Sequence, residues 1–125
     1  MSAVLWAVAG LLTVVFVGAG LLKLTWPKDK LAASGQGWVE GFTAGQVRLI
    51  GTAEVLGAVG LVLPPLVDVV PVLAPLAALG FVLLMAGAAV THVRRREFLP
   101  NVAVNLVLLL LAAFVAWGRF GPYAF

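Results

Sequence analysis

The chain has 125 residues, of which 63 % are hydrophobic and 10 % charged, with a formal net charge of +3. Soluble domains are about 45–50 % apolar and about 25 % charged, and a chain this short has too little interior to hide the excess. That excludes an ordinary water-soluble globule and a disordered chain, and makes a lipid bilayer the natural solvent.

Four apolar runs follow in chain order, at about 3–24, 46–63, 70–91 and 100–118. Each approaches the roughly 20 residues that a helix needs to cross the hydrocarbon, and a membrane admits only helices or closed barrels. The runs do not alternate in the manner of barrel strands. The predicted fold is therefore an all-α, integral membrane four-helix bundle forming a single transmembrane domain. The first run has no basic segment before it, and its first cation, Lys23, comes at its end. It reads as a retained span rather than a cleaved signal. Pro64-Pro65 is expected to stop the second helix. Pro71 and Pro75 fall near the start of the third, and Pro100 suits the first turn of the fourth.

The connector 25–45 is the longest. It carries Trp26, Leu31, Trp38, Val39 and Phe42, interrupted by Gly35, Gly37, Gly41 and Gly45. It is expected to be an interfacial segment, a short amphipathic helix at the membrane surface; the competing reading is a flexible loop. The first and third connectors, with their helix ends, hold Lys23, Lys28, Lys30, Arg48 and Arg94 to Arg96, against Arg119 alone on the other side. Positive charge favours the cytoplasmic side, so both termini are expected outside. Trp6 and Trp117 then lie near the outer interface, Trp26 and Trp38 near the inner one. The same cations explain the basic balance through topology and contact with anionic lipid, without nucleic acid.

There is no cysteine, and His92 is the one histidine. Disulfides, iron–sulfur clusters and dithiol chemistry are thereby removed, and a bis-histidine haem or a metal site is not expected. The chemistry must come from the few polar groups at membrane depth, which are costly and usually face a bundle interior.

Glu54 is the clearest of these, roughly 12 Å along the second helix. Its helical neighbours Gly51, Gly57 and Ala58 make a small face suited to packing. A carboxylate in low dielectric can carry a proton or act as general acid or base. Alternatively it is a structural pin, paired with Lys23, Arg48 or an amide. Lys23 lies beside Ala19 and Gly20, and either snorkels, forms a structural pair or contacts a ligand. Arg48 points about 120° away from Glu54 around a regular helix, so it faces lipid phosphate or a ligand headgroup. His92 ends the third helix as an interface residue or a catalytic group. Asn101 and Asn105 share one face, four residues apart, and either bond across the bundle or orient a ligand. These six residues come from all four helices and lie at one depth, the cytoplasmic half. They predict a polar pocket roofed by hydrocarbon, suited to a lipophile with a polar head and unsuited to a channel.

Phe16, Gly20 and Lys23-Leu24, the stretch from Arg48 to Ala58 with Gly51, Glu54 and Gly57, Pro64-Pro65, and His92 followed by basic residues and Glu97 resemble the DoxX-like family of small four-helix membrane proteins. Asn105 and Arg119 fit as well. The resemblance implies a bundle in a bacterial inner membrane. It also implies a link to thiosulfate:quinone oxidoreduction or to membrane oxidoreductase complexes, with chaperones or assembly factors among distant relatives.

The function expected is binding of a quinone- or isoprenoid-like molecule. Glu54 and His92 are the catalytic candidates, in redox-linked proton transfer or in isomerisation or cyclisation, and Lys23, Arg48, Asn101 and Asn105 the ligand-binding candidates. A quinone is the one cofactor considered. The alternative is a non-catalytic membrane subunit or assembly partner of an oxidoreductase complex. Gly41-x-x-x-Gly45 and Ala53-x-x-x-Gly57 would allow a homo-oligomer.

Overall fold

A computed structural model describes residues 2–33, 39 and 41–124. Its spanning helices are α1 (Ser2–Thr25), α3 (Ala44–Leu66), α4 (Leu73–Arg94) and α5 (Ala103–Phe120). Among the described residues these four are long and apolar enough to cross a membrane. The short α2 (Lys28–Ala33) follows α1, and a π-helical turn (Phe98–Val102) leads into α5. The protein is an all-α membrane bundle. The pairings α1 with α3 and α4 with α5 are the most extensive, and α1 with α5 is the least extensive between spanning neighbours.

The helix limits have local causes. Thr43 and Gln46 form a reciprocal N-terminal cap on α3: the Gln46 N–H donates to Thr43 Oγ1 at 3.1 Å, and the Thr43 N–H to Gln46 Oε1 at 2.9 Å. The helix thus begins at Ala44, two residues before the expected start. It also runs through Pro64 and Pro65 to Leu66. The prolines lack donors, but the Leu63 and Pro64 carbonyls still accept from Val67 at 3.1 Å and Val69 at 3.0 Å, so one more turn closes. Pro75 occupies the first turn of α4, where an N–H has no helical partner to lose. Pro100 sits within the wider π-helical turn rather than opening the fourth helix directly.

The connector at the basic end is folded onto the bundle. Leu31 and Val39 are buried with Val47, against Leu22, Trp26, Ala32 and Phe42, and Lys30 lies 4.2 Å from the Trp26 ring. Gly35, Gly37 and Trp38 lie outside the described residues. The main core fills the far half of the bundle with Leu12, Phe16, Ala58, Leu61, Ala78, Phe81, Met85, Ala112 and Val115. Phe16 and Phe81 stack at its centre with ring centroids 3.9 Å apart. Gly57 admits the Phe81 ring: a Cβ there would stand 2.7 Å from Phe81 Cζ. The Ala53-x-x-x-Gly57 pattern is thus partly engaged within the chain.

At the far end the termini are joined. Arg119 donates to Ser2 Oγ at 3.3 Å and to the Tyr123 carbonyl at 2.9 Å. Its guanidinium lies 5.5 Å from the Trp6 ring. Trp117 packs against Phe114 and Tyr123, so Trp6 and Trp117 share the end opposite Trp26.

Candidate functional site

The site begins where α1 and α3 cross. A Cβ on Gly20 would stand 2.7 Å from the Gly51 carbonyl oxygen, and one on Gly51 would stand 2.8 Å from the Gly20 carbonyl oxygen and 2.8 Å from Lys23 Cβ. Only glycines let the two backbones approach this closely. The close crossing sets Lys23 Nζ 2.7 Å from Glu54 Oε1, with side-chain exposures of 10 % and 3 %. Glu54 is therefore ion-paired, and Lys23 does not extend to the headgroups. Of the pairings open to Glu54, the structure selects Lys23. Each charge in this pair compensates the burial of the other, and neither is tolerable at that depth alone.

His92 is built by a different device. The N–H of Arg96 donates to the Val93 carbonyl at 3.0 Å, and that of Glu97 to the His92 carbonyl at 2.8 Å. These two reversed bonds close the end of α4, with Arg96 at φ 59° in the left-handed position usually given to glycine. The reversal carries Glu97 back over the last turn, where its Oε1 lies 3.0 Å from His92 Nδ1 and 3.0 Å from Arg95 Nε. The His92 hydrogen bond, aided by Arg95, holds the Glu97 carboxyl below its ordinary range. An ionised carboxylate only accepts, so Nδ1–H donates and Nε2 is the nitrogen left for a ligand.

Both groups open on one cavity of about 570 Å³, walled by residues of all four spanning helices. Its polar lining is Lys23, Glu54, Thr91, His92, Asn101 and Asn105. Asn105 Nδ2 is buried without a hydrogen-bond partner among the described residues, which costs about 1–3 kcal/mol unless something fills the site. The remaining wall is apolar and includes Phe16, Ile50, Leu84, Met85 and Leu108. The Phe16–Phe81 stack and the core behind it close the far side. The structure thus brings together five of the six candidate residues. The sixth, Arg48, is exposed near the start of α3 and outside the cavity lining.

Residue patterns alone did not single out Glu97, Thr91 or Phe42 for the site. A five-residue spacing is not a helical face, so the partnership of His92 with Glu97 carries no periodic signal. It exists through the left-handed turn at Arg96. Phe42 reaches the cavity because the connector folds back on the bundle.

Fold and site together define a multi-pass membrane bundle with a partly polar cavity at its basic end. The family model described as the DoxX-like family matches residues 7–115. The chain belongs to that family. Neither a curated protein nor a solved structure matches it.

Proposed function

We propose that the cavity binds a lipophilic molecule with a polar head, of quinone or isoprenoid kind, and that Glu54 exchanges a proton with that head. The observation that carries this reading is the Asn105 amide, without a partner among the described residues, on the wall of a mostly apolar cavity that also holds the Lys23–Glu54 pair. An orphan donor beside buried charges suits a carbonyl or hydroxyl head better than a hydrocarbon filling. Asn105, Asn101 and His92 Nε2 orient the head. Lys23 offsets the charge on Glu54 whenever that carboxylate is ionised, so a proton can leave without stranding an anion in low dielectric. The reaction is acid–base, either an isomerisation or cyclisation of the bound molecule, or the proton half of a redox step whose electrons come from an oxidoreductase partner. The basic end faces the cytoplasm of a bacterial inner membrane, and both termini lie outside. Arg48 serves the headgroup region from outside the cavity.

A second reading rests on the ion pair itself. Lys23–Glu54 is sufficient to pin α1 to α3, as a non-catalytic subunit or assembly partner would need. Organic extraction and native mass spectrometry separate the two readings. The wild type is compared with the paired substitution Lys23→Met/Glu54→Gln, which removes both charges together and so avoids burying one alone. A stoichiometric lipophile on the wild type, lost from a variant that still elutes as a folded species, supports the ligand site. Folded protein with no specific small molecule in either form refutes it, and a protein partner lost from the variant supports the second reading.

A further inference from the structure

The α1/α5 seam differs between its two halves. At the far end the helices are locked together. A Cβ on Gly118 would stand 2.7 Å from Leu5 Cδ1, so Leu5 occupies the place of a side chain there. Arg119 also reaches Ser2, at 3.3 Å, and Trp6. In the basic half the facing residues line the cavity: Val15 and Ala19 from α1, Val104 and Leu108 from α5. Each pair is one helical turn apart. Val15 is 36 % exposed and Val104 50 % exposed, along the seam with the least extensive contact between spanning neighbours.

We propose that this half-open seam is a lateral portal, through which the tail of a membrane lipid passes between the cavity and the leaflet at the basic end. The proposal rests on the ligand reading above and narrows it to lipids that keep their tail in the bilayer. From Val15 to Ala19 the opening extends along roughly 6 Å of helix, within one leaflet. The edges of the opening are apolar, whereas a water-facing mouth for a soluble substrate would carry polar edges. A volume of 570 Å³ lies within the range of about 300–1,000 Å³ for small-molecule pockets. It holds a headgroup and the beginning of a chain. An interior packed as densely as usual has few voids, and one that is open to hydrocarbon fills with the nearest chain. The Lys23–Glu54 pair and the Asn105 amide lie at the inner end of this path, where a head arriving from the leaflet would meet them.

The chain has no cysteine, so single labels are specific. A bimane on Leu108→Cys reports the cavity, one on Leu110→Cys the lipid-facing surface (Leu110 is 66 % exposed), and one on Leu12→Cys the closed core. The full chain is reconstituted in phosphatidylcholine vesicles with doxyl-labelled acyl chains. The Leu108 label should be quenched to a level comparable with Leu110 and several-fold more than Leu12. Adding Ala19→Phe, which fills the seam, should protect Leu108 and leave Leu110 unchanged. Three results would each overturn the portal: quenching at Leu108 no greater than at Leu12, quenching at Leu108 undiminished by Ala19→Phe, or quenching by aqueous iodide in place of the doxyl lipid. Because no ligand enters this assay, its failure is distinct from a failure of the extraction experiment. A Leu12 label that does not fold leaves the Ala19→Phe comparison decisive.

Discussion

Two glycines on the same helix, Gly10 and Gly20, should respond differently to alanine. Nothing lies within 4 Å of a Cβ built on Gly10, whereas one built on Gly20 would stand 2.6 Å from Val55 Cγ2 and 2.7 Å from the Gly51 carbonyl oxygen. The Val55 methyl can turn aside, but the Gly51 oxygen is backbone. Bringing that contact to about 3.4 Å, the near edge of ordinary packing, requires α1 and α3 to part by roughly 0.7 Å where the Lys23–Glu54 pair is formed. Both substitutions gain the same intrinsic helix preference of about 0.8–1 kcal/mol, so their difference isolates the clash. Overpacking a close-fitted interior costs about 1–3 kcal/mol. Gly10→Ala should therefore raise stability by up to about 1 kcal/mol, with Gly20→Ala about 1–3 kcal/mol below it. Reversible unfolding in mixed micelles, with SDS as denaturant, reads both values. Equal stabilities for the two variants would refute the close backbone crossing and, with it, the account of how the ion pair is buried.

Glu54→Gln alone should destabilise the bundle by about 3–5 kcal/mol in the same assay, because it removes the carboxylate facing a buried ammonium. The joint Lys23→Met/Glu54→Gln change should recover most of that loss, and equal losses in both would show that the charges do not act as a pair. Arg96→Gly should stabilise by about 1 kcal/mol, since glycine carries no left-handed penalty, while a His92 nitrogen chemical shift unchanged from wild type confirms that the contact with Glu97 survives. Val70→Gly, at φ 44° in the α3–α4 turn, should gain about 1 kcal/mol for the same reason; a loss would mean that the Val70 side chain supports the turn. The Glu97 carboxyl is lowered from 4.5 in the folded protein, so its stabilising contribution is complete above that value and is lost as pH falls through the lowered one. Stability curves of wild type and Glu97→Gln should thus converge in strong acid and be fully separated by about pH 4.5; curves that stay parallel through the acid range would refute the contact.

Much of this molecule was legible from composition and the placement of charge. Four apolar runs, too long for core helices and too uniform for barrel strands, dictate a membrane bundle. The basic residues at one end, and the aromatic pair Trp6 and Trp117 at the other, follow from what each side chain gains at an interface. The gathering of Lys23, Glu54, His92, Asn101 and Asn105 at one depth was legible for the same reason: depth along a helix is a linear function of residue number. Rotation about the helix and approach between helices are not, and there the structure decided. Arg48 has the right depth and the wrong azimuth relative to the cavity. The choice of Lys23 as the partner of Glu54 depends on Gly20 and Gly51 meeting across two segments far apart in the chain. The His92–Glu97 contact depends on one left-handed residue, and the continuation of α3 through Pro64-Pro65 on carbonyls that find donors beyond the prolines. The solvent, the number of spans and the end at which polar groups collect follow from the chain segment by segment, because these are sums over local hydrophobicity and charge. Which charges pair, and which amide is left without a partner among the described residues, depend instead on distances between helices, set by packing that no single segment contains.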